Sequence, residues 1–497
     1  MGSRDQFHRL RVGAAGATPV TSIPWPILFR RRVARRLERS PRYGGYVLGV
    51  ALAGMFSVAF TVTILGVAIR DIAAEFDASE SVVSWVITGP ILAVALVGPA
   101  LGRAGDMFGH RRMYLLSMGL SAVFALMIAL SWNEWSLITF RVLGAIGGAA
   151  TGPSAMAMIN RAFEPERRVQ AMGYWSMVGA GAPVLGVVFG GPIVDNYNWR
   201  WIFVFQAPLS LLAVLLAALV LPETSREDGL SFDWRGAVAL GTVVGFVLLV
   251  VNRGAAWGLT SPAVVLGLVG IPLAGWWFWS IERRGQAPLF PPHYARMRNV
   301  SAPIIAQLTM NFAYMGGFIL TPLLLQDDST FGFTATKAGL YTIARPLTFA
   351  VVGPLMGWLA LKVGERTNAV VGSSALFGSM LILALGASRL DDTLILLGLA
   401  ISGFGLGTAG PSLTAVMANA VDESDFGIAG AAQQMASQVG VVIGIELMQA
   451  VQIGGEATAG VADSFARAYL VGGLVSGLAI FAAARVVSTE RADHAAA

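Results

Sequence analysis

Gly102-Arg-Ala-Gly-Asp106-Met-Phe-Gly109-His-Arg111-Arg112 is a charged, glycine-punctuated turn set between two apolar stretches, 82–102 and 113–131. The stretches are each about as long as a helix must be to cross the hydrocarbon core of a bilayer. A degraded copy follows as Gly357-Trp-Leu-Ala-Leu-Lys-Val-Gly364-Glu-Arg366, 255 residues downstream. A second pair, Gly147 through Gly152-Pro153-Ser154 and Gly405 through Gly410-Pro411-Ser412, is offset by 258 residues. Two similar offsets in one chain mark an internal duplication.

Outward from that turn the pattern continues in both directions. Apolar stretches lie at 46–69, 82–102, 113–131, 134–156, 171–194 and 200–221, then at 234–252 and 262–281. Six more lie at 301–325, 338–361, 368–387, 392–416, 428–452 and 467–486. The sequence therefore predicts an all-α integral membrane protein of fourteen spans, arranged 6+2+6 in two pseudo-symmetric bundles. The expected domains are a basic tail (1–45), a six-helix bundle (46–221), a linker with two extra helices (222–299), a second bundle (300–486) and a short tail (487–497).

Composition agrees. Charged residues make up 13% of the chain and apolar ones 55%, against about 25% charge in an ordinary globular protein. Counted with the span-end arginines Arg235, Arg485, Arg200 and Arg467 on the sides they adjoin, 26 Lys and Arg lie on one side against six on the other, which puts both termini in the cytoplasm. The segment 1–45 holds ten of these Arg, and its apolar run from Trp25 to Phe29 is too short for a signal peptide. This partition reads the basic pI as membrane topology and gives no reason to expect nucleic acid.

With no Cys and only four His, the chain offers no disulfide framework, thiolate site or HExxH metal motif. No phosphate-binding GxxxxGK[ST] loop occurs, so ATP hydrolysis is not expected to drive it. No deep His or Asp accompanies the Ser and Thr of the spans, which argues against an intramembrane enzyme. No cofactor or metal is expected.

These residues together resemble the major facilitator superfamily, and the fourteen spans resemble its drug:H+ antiporter branch, from about residue 46 to 486. The turn carries the G-x-x-x-D-x-x-G-x-R/K-R/K signature as Gly102, Asp106, Gly109, Arg111 and Arg112. The fourth span carries R-x-x-x-G from Arg141, closing on Gly152-Pro153. The fifth span has a Gly-rich stretch, Gly181 to Gly191, followed by Asn198-Trp-Arg-Trp-Ile-Phe203.

The resemblance implies a monomeric multi-pass transporter in the cytoplasmic membrane, exporting amphipathic drug-like or lipid-like molecules in exchange for protons. It also implies a gating role for the signature loop and a hinge or seam at Gly181, Pro183, Gly186, Gly190 and Gly191. Three departures bear on that reading. The first-span acid of relatives is Thr61 here, the fifth-span Gly-Pro step is Gly186-Val187, and the second copy of the loop has Leu361 opposite Asp106. A proton-independent facilitator or lipid flippase is the alternative, and a transport-dead scaffold or sensor a remote one.

Asp106 can accept from the free N–H groups of a neighbouring helix N-terminus. The resemblance places that helix at the thirteenth span, preceded by Asp422-Glu-Ser-Asp425, whose acids are expected to meet Arg111 and Arg112. Ionisable residues deep inside spans are costly and mark function; away from the span ends they are Arg141, Arg345 and Glu446. Arg141 and Arg345 lie about 10 Å below the external face and Glu446 about 27 Å up an ascending helix, so all three share the outer half with Thr61. Glu446 is the expected proton carrier, with structural snorkelling as its alternative. Arg141 is expected to face the central cavity by resemblance, and Arg345 and Glu446 to flank the interface between halves. Two arginines against one glutamate favour neutral or anionic amphiphiles. Gln206, Gln307, Asn311, Gln433, Gln434 and Gln438 supply further polar groups, each as ready to bridge helices as to touch a ligand.

Overall fold

In hydrocarbon every backbone N–H and C=O needs an internal partner, so long apolar stretches fold as helices. The computed structural model describes residues 37, 39–78, 80–83, 85–222, 234–258, 260–285 and 292–488. Among them the sole regular elements are helices. Most of the tail 1–45, part of the linker and the last residues lie outside the described set.

Each of the fourteen predicted stretches falls on a helix. They are α1 (Tyr43–Glu75), α2 (Trp85–Phe108), α3 (His110–Ala129), α4 (Glu134–Ala162), α5 (Pro165–Asn196), α6 (Arg200–Val220) and α7 (Trp234–Trp257). The remainder are α8 (Pro262–Arg284), α9 (Arg298–Gln326), α10 (Ala335–Val363), α11 (Glu365–Arg389), α12 (Asp392–Ala420), α13 (Phe426–Ala459) and α14 (Val461–Ala484). Eleven are long and apolar enough over their described residues to cross a membrane, twelve with α2, which bends by 52° between Gly98 and Ala100. α5 and α7 fall outside that count. α4 carries a break, at Ala149 and Ala150.

Helices α1–α6 pack on one another, and so do α9–α14. The second group is held by one continuous apolar core running from Ala302 to Val486. The first is held by two cores at opposite ends, one around Tyr114 and Met158 and one around Leu137, Trp199 and Phe203. α5 meets α10 and α2 meets α13, and these two seams join the groups. α7 lies along the α2–α13 seam, where its Val244 packs with Val442 and Ile91, and α8 packs on α7. Leu266, Val269, Leu273 and Trp276 on α8 are each more than half exposed. In a membrane that exposed apolar face meets lipid.

Candidate functional site

The α2–α3 turn and the start of α13 form the best-defined polar site. Gly109 closes the turn at φ 93°, a conformation that costs a side-chain residue strain. Gly102 lets α2 press on α13: a Cβ there would stand 2.3 Å from the Ala431 Cβ and 2.8 Å from the Gly427 carbonyl oxygen. That approach buries Asp106, whose Oδ1 accepts from the Gly427 N–H at 3.1 Å. The first N–H groups of a helix have no partner of their own, and its N-terminus favours negative charge. His110 closes the other side, its Nε2 3.0 Å from the same Asp106 oxygen.

The acidic segment before α13 is reached by arginines other than the expected ones. Arg103 Nη1 lies 3.6 Å from Asp425 Oδ1, and Arg161 Nη2 donates to the Glu423 carbonyl at 2.7 Å. Arg111 instead reaches α6, donating to the Ala218 carbonyl at 2.6 Å, and Arg112 is exposed. The physical reason is helix phase. Arg103 lies three residues before Asp106 and so shares its face of α2, whereas Arg111 starts α3 beyond the turn, beside the carbonyl end of α6.

Arg168 adds a second tie. Its Nε donates to the Asn160 carbonyl at 2.8 Å within its own group, while its Nη1 donates to Asn419 Oδ1 at 2.7 Å in the other. The guanidinium also stacks on Phe426, 4.9 Å from the ring centre. The α5–α10 seam is glycine-lined: a Cβ on Gly173 would stand 2.6 Å from the Gly353 carbonyl oxygen, and one on Gly357 2.9 Å from that of Val169. Gly181 continues this seam against Ala350, and Gly186 is buried. Pro183 interrupts nothing, since α5 runs unbroken past it. Gly190 and Gly191 lie in a stretch of α5 outside the described side chains. The described ties between groups thus gather at the end the charge partition assigns to the cytoplasm.

The outer-level residues sit apart from this gate. Arg141 is half-buried, its Nε donating to the Val86 carbonyl at 3.3 Å and its guanidinium 5.6 Å from the Phe203 ring centre. Thr61 is fully buried, and its hydroxyl donates to the Val58 carbonyl of its own helix at 2.9 Å. Gln206 is buried on α6, with its Oε1 lacking a hydrogen-bond partner among the described residues. Asn311 donates to the Gln307 carbonyl and side chain, and Gln433 to Thr414 Oγ1 at 2.6 Å. Gln434 reaches across the seam to Gly152. Glu446 is half-buried on α13, four residues beyond Val442 and so on the face turned to α7.

Arg345 departs from expectation. It is fully buried, its Nε donating to Ser402 Oγ at 2.7 Å and its Nη1 to the Tyr314 carbonyl at 2.6 Å, with the Tyr314 ring beneath it. The helix flanks the interface, but the side chain turns inward among α9 and α12. The phase of α10 decides this: Gly353 and Gly357 take the α5 face, and Arg345 lies about a quarter to a third of a turn round from them, toward α9 and α12.

Reasoning from sequence passed over Arg103, His110, Arg168, Asn419 and Tyr294. Arg103 and His110 stand within the signature turn and were legible there; nothing local to the other three sets them apart.

Comparisons with known proteins place this geometry in context. The pattern of the Major Facilitator Superfamily matches residues 51–445 and, in a second alignment, 306–496. The chain is 27% identical over 403 residues to the multidrug resistance protein Stp of Mycobacterium tuberculosis, covering 80% of this chain and 74% of Stp. It is 30% identical over 408 residues to the tetracenomycin C resistance and export protein of Streptomyces glaucescens, covering 81% and 74%. Among solved structures, the human organic anion transporter MFSD10 aligns with a TM-score of 0.64 at 16% identity, over 91% of this chain and 99% of that one. The proton:xylose symporter XylE aligns with a TM-score of 0.64 at 13% identity, over 88% and 94%. At such identities the structural likeness speaks for the fold alone.

Proposed function

This chain belongs to the Major Facilitator Superfamily, and we propose that it exports amphipathic small molecules from the cytoplasm by alternating access, in exchange for protons. The observation that carries the reading is the Asp106–Gly427 contact, a buried carboxylate of one helix group capping a helix of the other. Such a bond holds only while the cytoplasmic ends are together, so it belongs to one of two access states. The bundles 46–221 and 300–486 are the units that rock. The export relatives support the direction and the drug-like substrate class.

Arg141 is the charged residue of the substrate pathway in this proposal, and the inward turn of Arg345 removes it from that role. One arginine then stands against one glutamate at that level, so the charge argument for anionic substrates lapses and neutral amphiphiles remain the favoured class. Glu446 is the proton carrier, because Thr61 holds no titratable group where relatives have an acid. A proton-independent facilitator or lipid flippase is the second reading, and Thr61 is the observation that favours it.

Reconstitution in liposomes with a pH-sensitive dye and a substrate panel tests both. Wild-type protein should acidify the lumen it exchanges against as substrate moves, and Glu446→Gln should uncouple the two fluxes. Transport with no proton movement sinks the antiport reading; coupling that survives in Glu446→Gln removes Glu446 as the carrier.

A further inference from the structure

Among the described residues between α8 and α9 lies a short 3-10 turn, Tyr294–Arg296. Tyr294 is 2% exposed, its ring packed with Val300 of α9, Met417 of α12 and Ala429 of α13. Its hydroxyl donates to Asp425 Oδ2 at 2.7 Å and accepts from the Asp422 N–H at 3.3 Å. The other oxygen of that carboxylate, Asp425 Oδ1, faces Arg103 of α2 at 3.6 Å. One carboxylate is therefore shared by three parts of the chain: the linker, the start of α13 and the opposite helix group.

An aspartate with one oxygen anchored has the other aimed. Without the anchor, the partly exposed Asp425 side chain can rotate toward water, and a 3.6 Å ion pair loses its geometry. Burial, and the Asp425 carboxylate beside it, push the Tyr294 phenol above its ordinary range. The hydroxyl thus remains a donor throughout the physiological pH range.

We infer that Tyr294 is a positioning residue of the cytoplasmic gate, through which the linker holds Asp425 toward Arg103 and biases the molecule to its closed-inside state. This rests on the transporter reading, since only a protein that alternates access has such an equilibrium to bias. The linker therefore does more than join the two bundles: its last turn before α9 is part of the latch.

The chain has no native Cys, so labels placed at Arg167→Cys and Arg366→Cys report without background. Both sites are exposed, at the gate ends of opposite helix groups. Distance distributions between spin labels there, in nanodiscs without substrate, measure the open fraction directly. Tyr294→Phe keeps the ring in its cluster and removes only the hydroxyl. It should raise the open-inside fraction about three- to tenfold, as expected of one partly solvated hydrogen bond. In an Arg103→Gln background, where the gate is already loosened, Tyr294→Phe should add nothing, because it acts through the same carboxylate. Asp425→Asn should open the gate likewise and also abolish the effect of Tyr294→Phe.

Equal distributions for Tyr294→Phe and wild type, with Arg103→Gln open, would overturn the inference and leave the transport reading standing. An undiminished Tyr294→Phe effect in the Arg103→Gln protein would overturn it too, by assigning the residue a general packing role. A single unchanging distance in every variant, with or without substrate, would sink the inference together with the transport reading.

Discussion

Arg141 and Arg345 are both arginines deep in apolar helices, at a similar level, and their surroundings separate them. Arg345 has no exposed surface and spends its guanidinium on Ser402 and the Tyr314 carbonyl. Removing a buried charged partner strands the groups it satisfied, which costs about 2–4 kcal/mol. Arg345→Gln should therefore lower the melting temperature in detergent by several degrees, and an unchanged melt would refute the strut assignment. Arg141 is half-buried and has one long backbone hydrogen bond. Arg141→Gln should fold with a melting temperature near wild type yet lose at least tenfold in transport rate, since the proposal asks that charge to act on substrate. The presence of both arginines was plain from the sequence. Their division into strut and pathway was not, because it depends on which side of a helix packs against what.

At the scale of helices, the duplication shows itself twice. α2 and α4 correspond through the offset to α10 and α12, and each pair is crossed by one guanidinium. In the first half Arg141 of α4 reaches Val86 of α2, and in the second Arg345 of α10 reaches Ser402 of α12. The same seam is bridged from opposite sides. Likewise Gly102 abuts Gly427 while its counterpart Gly357 abuts Val169 and Gln170. Only the first contact carries a latch, since Leu361 stands where Asp106 does and cannot cap a helix. Gly427→Ala would put a Cβ 2.5 Å from Asp106 Oδ1 and 2.8 Å from the Gly102 carbonyl oxygen, so the helices must part. Cytoplasm-facing single-Cys labels on α2 should become reactive in Gly427→Ala and stay protected in wild type; equal protection would show that the contact does not close the gate. Gly109 and the two glycine-proline repeats were legible in one dimension, because a tight turn is a local requirement and a repeat is visible in the chain itself. The pairing of Gly173 with Gly353 was not, because it joins residues far apart in the chain.

The whole molecule adds α7 and α8 to a duplicated core, and their placement has a consequence for motion. α7 touches α2 and α13 together, so it spans a seam at which the two groups meet. Gly241 sits against Leu96, where a Cβ would lie 3.3 Å from its Cδ1. Gly241→Leu should wedge α7 from α2 and slow the exchange of access states. Initial transport rates are expected to fall at least threefold with the half-saturating substrate concentration unchanged; a rise in that concentration instead would place α7 at the binding site. The sequence by itself determined the membrane class, the helix positions, the duplication, the family resemblance and a charge asymmetry that predicts orientation. Those follow from hydrophobic run length, side-specific charge and local turn chemistry, each written in a single stretch of chain. Only the tertiary structure decided which arginine reaches Asp425, that Arg345 turns inward, and that a linker tyrosine anchors the latch. Each of these depends on the rotation of one helix against another, and that rotation is set by close glycine contacts between segments hundreds of residues apart.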